Sequence, residues 1–119
     1  MHNDCTISQT VDIISKKWTL LILLELYKSP HNKKRYNQLK KSLPEITPKV
    51  LSARLKELEE QQFITKHTDT TNIPISCTYQ LTKSGEAFIA IIKDIKEWTI
   101  AWRSHNKLCE TLNCKDCPL

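Results

Sequence analysis

The hydrophobic period of this chain changes after Gln62 and returns to helical spacing after Thr82. Upstream, apolar residues recur at three- and four-residue steps. Downstream, "ISCTYQL" alternates strictly, with Ile75, Cys77, Tyr79 and Leu81 on one face and Ser76, Thr78 and Gln80 on the other. That is the pattern of a half-buried strand. "FITKHT" is a second strand and "DTTNIP" the polar turn between them, so the region is one antiparallel hairpin. A helical unit interrupted by a single hairpin and then resumed as helix leaves few architectures open.

The helical part resolves into five pieces. Ile7, Val11 and Ile14 give a short amphipathic helix over Thr6 to Ser15. From Lys17 to Tyr27 the chain is apolar on nearly every side, which predicts a central core helix. Ser29-Pro30 ends it, because the residue before proline disfavours helix. "HNKK" reads as a polar loop. In "RYNQLKKSL", Tyr36, Leu39 and Leu43 fall on one face and Asn37 can cap a short helix. Thr47-Pro48 opens the next helix with an N-cap followed by the residue favoured at the first helical position, and Leu51, Leu55 and Leu58 form its buried stripe. The last helix, capped by Thr82, spans about 83–106. Phe88, Ile91, Ile95, Trp98, Trp102 and His105 make a heptad-like seam along it. A chain of 119 residues has little left to cover that seam, so it is expected to pair with a second copy, with Ile7 of the first helix adding to the contact; the alternative is that the helix folds back on the first two, and both can hold in part. The whole is one domain over 1–119, mainly α with a small β-hairpin wing: a winged helix-turn-helix dimerising through its terminal helices.

The Thr47–Glu60 helix carries its charges in an unusual order. Bases come first (Lys49, Arg54, Lys56) and acids last (Glu57, Glu59, Glu60), the reverse of what the helix dipole favours. The cost is some tenths of a kcal/mol per charge. The order suits insertion of the N-terminal half into a polyanion. With the leucine stripe inward, a step of about 100° per residue turns Lys49, Ala53 and Lys56 outward, flanked by Ser52 and Arg54. Lys49, Ser52, Ala53 and Arg54 are therefore the candidates for base contacts. Thr47, Lys56, Lys33, Lys34, Arg35, Asn37, Lys66 and His67 are expected at phosphates. The hairpin tip, Asp69 to Ile73, has no arginine and is expected to touch DNA weakly.

The net charge of +5 agrees with a polyanionic partner. The longest apolar run, Leu20 to Leu24, is far short of the ~20 residues that span a bilayer, and "MHNDCTISQT" is not a secretory signal. No membrane contact and a cytoplasmic location are expected. The single glycine, Gly85, excludes a glycine-rich phosphate loop. His31, His67 and His105 fall in different elements without a partnered nucleophile, so no enzyme is expected. A winged-helix module binding an acidic protein is the alternative function.

Several patches resemble the HxlR family of winged-helix transcription regulators, relatives of the MarR group. They are Cys5 before the first helix, "KWTLLILLEL" (Lys17 to Leu26), "RYNQL" (Arg35 to Leu39), "LPEITPKVLSARLKELEE" (Leu43 to Glu60), Pro74, "YQLTKSG" (Tyr79 to Gly85) and Trp98. The resemblance implies a homodimer on double-stranded DNA at a pseudo-palindromic operator. It departs at Ser15-Lys16 and at Gln62-Phe63, where the family usually carries glycine; Gln62 must then adopt a helix-ending conformation that glycine takes more readily.

In the family an N-terminal cysteine often senses oxidants, and Cys5 matches it. Its acidic neighbour Asp4 opposes thiolate formation and an adjacent helix N-terminus favours it, so an unreactive, partly buried thiol stays open as the alternative. Cys77, on the apolar face of its strand, is a core residue. The tail "LCETLNCKDCPL" holds Cys109, Cys114 and Cys117. Three readings stay open: a zinc site completed by His105, redox chemistry through Cys114 and Cys117 with or without Cys5, or neither. No cofactor is required by any other feature.

Overall fold

The computed structural model describes residues 5–71, 73–103, 110 and 112–116. Among the described residues, five helices and a three-stranded sheet follow in the order α1 (Thr6–Ile14), α2 (Thr19–Lys28), β1 (Lys33–Arg35), α3 (Tyr36–Ser42), α4 (Pro48–Glu60), β2 (Ile64–Asp69), β3 (Ser76–Leu81) and α5 (Lys83–Trp102). Short 3₁₀ turns occupy Pro30–Asn32 and Cys114–Asp116. Among the described residues no helix is long and apolar enough to cross a membrane.

α4 forms as its residues dictate. Thr47 Oγ1 accepts the Val50 N–H at 3.2 Å, Pro48 stands in the first turn, and Leu51, Leu55 and Leu58 are buried. Its end is set by Gln62, which does take a left-handed conformation at φ 64°. That turn aims Phe63 back into the core, where its ring meets Phe88 edge-on at 5.4 Å between centroids. The core itself gathers Ile22, Leu23 and Leu26 of α2, Leu39 of α3, the α4 leucines, Tyr79 and Leu81 of β3, and Phe88, Ile89 and Ile92 of α5.

Three local readings are corrected. α2 starts at Thr19, not Lys17, because Trp18 is left-handed at φ 85° and breaks the run from α1. α3 is capped at Arg35, whose N–H donates to Gln38 Oε1 at 3.1 Å; Asn37 sits inside the first turn. The "HNKK" segment is not a loop throughout: Lys33–Arg35 pairs antiparallel with β3 in the register Lys33↔Gln80, Lys34↔Tyr79, Arg35↔Thr78. The sheet order is β1-β3-β2, so the hairpin gains a third strand at its inner edge. The two residues before β1, His31 and Asn32, are both left-handed, at φ 58° and 55°. A left-handed helical conformation costs an L-residue about 1–2 kcal/mol, asparagine tolerating it better than most.

The junction of β3 and α5 is tied by one side chain. Thr82 Oγ1 accepts the Gly85 N–H at 3.1 Å as N-cap, and donates toward the carbonyls of Gln62 at 2.6 Å and Phe63 at 3.1 Å. Thr82→Ala is expected to lower stability by about 1–2 kcal/mol, a lost cap plus a lost tertiary bond. Urea denaturation with an unchanged m-value checks it.

Candidate nucleic-acid interface

The exposed face of α4 carries Lys49, Ser52, Ala53 and Lys56, opposite the buried leucines. No acid stands in its first turn, and Glu59 and Glu60 are exposed at its far end. A groove of about 520 Å³ opens beside this face. It is lined by Arg35, Tyr36 and Asn37 from the β1–α3 junction, Ser52 from α4, and Ile73 to Cys77 with Tyr79 from the hairpin. Tyr36 OH lies 3.4 Å from both the Pro48 carbonyl and Ser52 Oγ, which fixes α3 against the first turns of α4. Burial pushes the Tyr79 hydroxyl above its ordinary value of 10.0, with Cys77, Glu59 and Tyr36 adding smaller repulsions in the same direction, so it stays a neutral phenol.

The structure brings together Arg35, Asn37, Thr47, Lys49, Ser52 and Ala53 around the N-terminal half of α4, and leaves Lys33 and Lys56 exposed nearby in the chain. Lys33 and Arg35 point outward from β1, as alternate residues of a strand must. Three expected cations do not join them as expected. Lys34, on the inner face of β1, donates to Ser42 Oγ at 2.6 Å and lies 3.4 Å from Glu25. Arg54 is only 21% exposed; it pairs with Glu57 at 3.0 Å and its Nε donates to the Lys17 carbonyl at 3.4 Å. Standing three residues after Leu51, it falls beside the buried stripe rather than opposite it. Glu57 also takes Lys16 at 3.0 Å, so the Lys16–Glu57–Arg54 cluster ties α4 to the segment before α2. Lys66 lines a separate concavity with Glu59, Gln62, Thr82 and Lys83 at the acidic end of α4. His67 is exposed on β2 opposite Thr78.

At the wing, Asp69 Oδ1 accepts from the Thr71 N–H at 2.9 Å and hydroxyl at 2.6 Å, which shapes the turn. Sequence reasoning overlooked the apolar character of this tip: Ile73 is 98% and Ile75 63% exposed. The alternation that marked Ile75 as inward-facing fails because it lies one residue before the paired strand.

The α5 seam divides. Phe88 is 7% exposed and belongs to the core, a correction to its reading as an interface residue. Ile91, Ile95, Trp98 and Trp102 remain exposed at 43–76%, and Ile7 on α1 is exposed as well. Arg103 lies over the Trp98 ring at 5.4 Å.

Cys5 is exposed and is itself the N-cap of α1, its Sγ accepting the Ser8 N–H at 3.5 Å. Cys77 is half-buried against the core. Cys114 opens the last 3₁₀ turn, beside Lys93 and Lys96 of α5. His105, Cys109 and Cys117, the residues of the zinc reading of the tail besides Cys114, lie outside the described residues.

A model of the HxlR-like helix-turn-helix family matches residues 13–107. The chain belongs to that family. It is 34% identical over 94 residues to the HTH-type transcriptional regulator YvaP of Bacillus subtilis, covering 79% of this chain and 83% of the relative. A MarR-family transcriptional regulator of Porphyromonas gingivalis W83 superposes with a TM-score of 0.73 at 30% identity, over 84% of this chain and 94% of that one. The redox regulator HypR in its oxidised form superposes with a TM-score of 0.68, also at 30% identity, over 84% and 99%. The fold is thus the winged helix of MarR-like regulators, and the HxlR-like protein is a transcriptional regulator by family, not an enzyme.

Proposed function

We propose that this HxlR-like protein is a homodimeric, sequence-specific DNA-binding regulator that inserts the N-terminal half of α4 into the major groove of each operator half-site. The observation that carries this is the sorting of α4: Lys49, Ser52, Ala53 and Lys56 outward, leucines inward, and the exposed acids at the far end. Lys49 and Ser52 read base edges, Ala53 allows close approach, and Arg35, Lys33, Asn37 and Thr47 hold the flanking phosphates. Two copies pair through Ile91, Ile95, Trp98 and Trp102, with Ile7, which would place two α4 helices on a pseudo-palindrome. Cys5 is the candidate redox switch: it is exposed, its sulfur caps α1 beside the dimer residues, and HypR, a redox regulator, has the same fold.

The division of labour is testable by salt titration. Arg35→Ala is expected to weaken binding to every duplex about equally and to reduce the slope of log K against log salt by about 1. Lys49→Ala should lower the discrimination between operator and unrelated DNA by about 1–3 kcal/mol. Fluorescence anisotropy at several salt concentrations separates the two. An unchanged slope for Arg35→Ala would remove it from the phosphate contacts.

A further inference from the structure

Residues 112–116 lie across α2 and reach the turn that precedes β1. Lys115 is at the centre. Its Nζ donates to the Tyr27 carbonyl at 2.6 Å and to Asn32 Oδ1 at 3.1 Å, and it lies 4.7 Å from the centroid of the Tyr27 ring. Lys96 anchors the start of the segment by donating to the Leu112 carbonyl at 2.6 Å. Asn32 is held from a second side, its Nδ2 donating to Glu86 Oε1 of α5 at 3.0 Å. Its neighbour His31 is held from a third, its carbonyl accepting from Gln80 Nε2 of β3 at 3.2 Å. Tail, α5 and β3 therefore converge on two consecutive left-handed residues, neither of them glycine. Such a conformation persists only where the surroundings enforce it. The next residue is Lys33, and among the described residues β1 has one strand neighbour, β3.

We propose that Lys115 is a positioning residue for the DNA interface: the docked tail holds the His31–Asn32 turn left-handed, and that turn sets where Lys33 and Arg35 stand relative to α4. This rests on the DNA-binding reading above. When the tail leaves, Asn32 loses the Lys115 ammonium, the turn relaxes toward ordinary φ, and β1 shifts against Ser52 and the groove it shares with Arg35. The tail thereby biases operator affinity without touching DNA.

The test uses the full-length protein with Lys115→Ala, Asn32→Gly and the double variant. Two readouts are taken: amide hydrogen exchange over residues 31–35 without DNA, and operator affinity across a salt series. Lys115→Ala is expected to raise exchange in that segment and to weaken operator binding about fivefold, at the low end of allosteric coupling, with the salt slope unchanged. Glycine takes the left-handed conformation without strain, so in the Asn32→Gly background the Lys115 substitution should have no further effect on affinity. Unchanged exchange overturns the strap, and unchanged affinity overturns the positioning role. A salt slope reduced by about 1 means that Lys115 meets a phosphate itself and also overturns it, as do additive effects in the double variant. If the unsubstituted protein binds no duplex, the positioning role falls with the DNA reading, while the exchange result still decides whether the tail holds the turn.

Discussion

Replacing both Ile95 and Trp98 with glutamate is expected to convert the protein to a folded monomer and to weaken operator binding at least about a hundredfold. The two side chains are 43% and 52% exposed on the outer face of α5, so neither supports the core. Two carboxylates there would be desolvated without partners in a paired state, which costs several kcal/mol. A monomer meets the two half-sites independently. It loses the effective concentration that links them, and linkage of this kind is worth 10²–10⁴ in affinity. Light scattering, far-UV circular dichroism and anisotropy together read the outcome. A variant that stays dimeric would place the interface elsewhere. A folded monomer with undiminished affinity would show that one α4 suffices. Phe88→Glu is the contrasting change: at 7% exposure against the Phe63 ring, it should unfold the chain rather than separate the proposed pair.

Gly85→Ala should destabilise the protein by about 2 kcal/mol, although alanine ordinarily favours a helix by about 1 kcal/mol. A Cβ at Gly85 would collide with the Phe63 carbonyl oxygen and press on Leu81 Cδ2. Overpacking costs typically 1–3 kcal/mol, and here the obstacle is backbone that no rotamer change can move aside. That carbonyl already accepts the Thr82 N–H at 3.0 Å and the Thr82 hydroxyl at 3.1 Å, so displacing it also weakens the cap of α5. The chain's one glycine thus marks a close approach of α5 to the turn after α4 rather than a bend. A drop in urea midpoint at constant m-value is the expected reading. An alanine variant as stable as the parent would mean that the junction yields.

α4 was legible because its signals are local. A Thr-Pro cap, a leucine stripe and the charge order sit within one helix, and each follows from residues three or four apart. The positive φ of Gln62 followed from the resemblance instead, since the HxlR family usually carries glycine at that position. What escaped depends on partners far away in the chain. Lys-Lys-Arg at 33–35 has no apolar alternation; it is a strand only because β3 offers a free edge. The fate of each cation was likewise hidden. Arg54 and Lys16 meet on Glu57, Lys16 from 41 positions away in the chain, and Lys34 turns to Glu25 of α2. A count of bases cannot say which of them a neighbouring carboxylate already holds. Phe88 leaves the seam for the core because its neighbour, Phe63, is aimed by the Gln62 turn rather than by any periodicity. The left-handed Trp18 carries no compositional sign at all.

The measurement that bears most directly on the central claim is the affinity of the reduced, full-length protein for the DNA upstream of its own gene and for an unrelated duplex, each across a salt series. DNA recognition by α4 predicts tighter binding to the first duplex and a steep loss of affinity for both as salt rises, through counterion release. Binding to neither duplex, with salt-sensitive affinity for an acidic protein instead, would contradict it and make the exposed face of α4 a protein-docking surface.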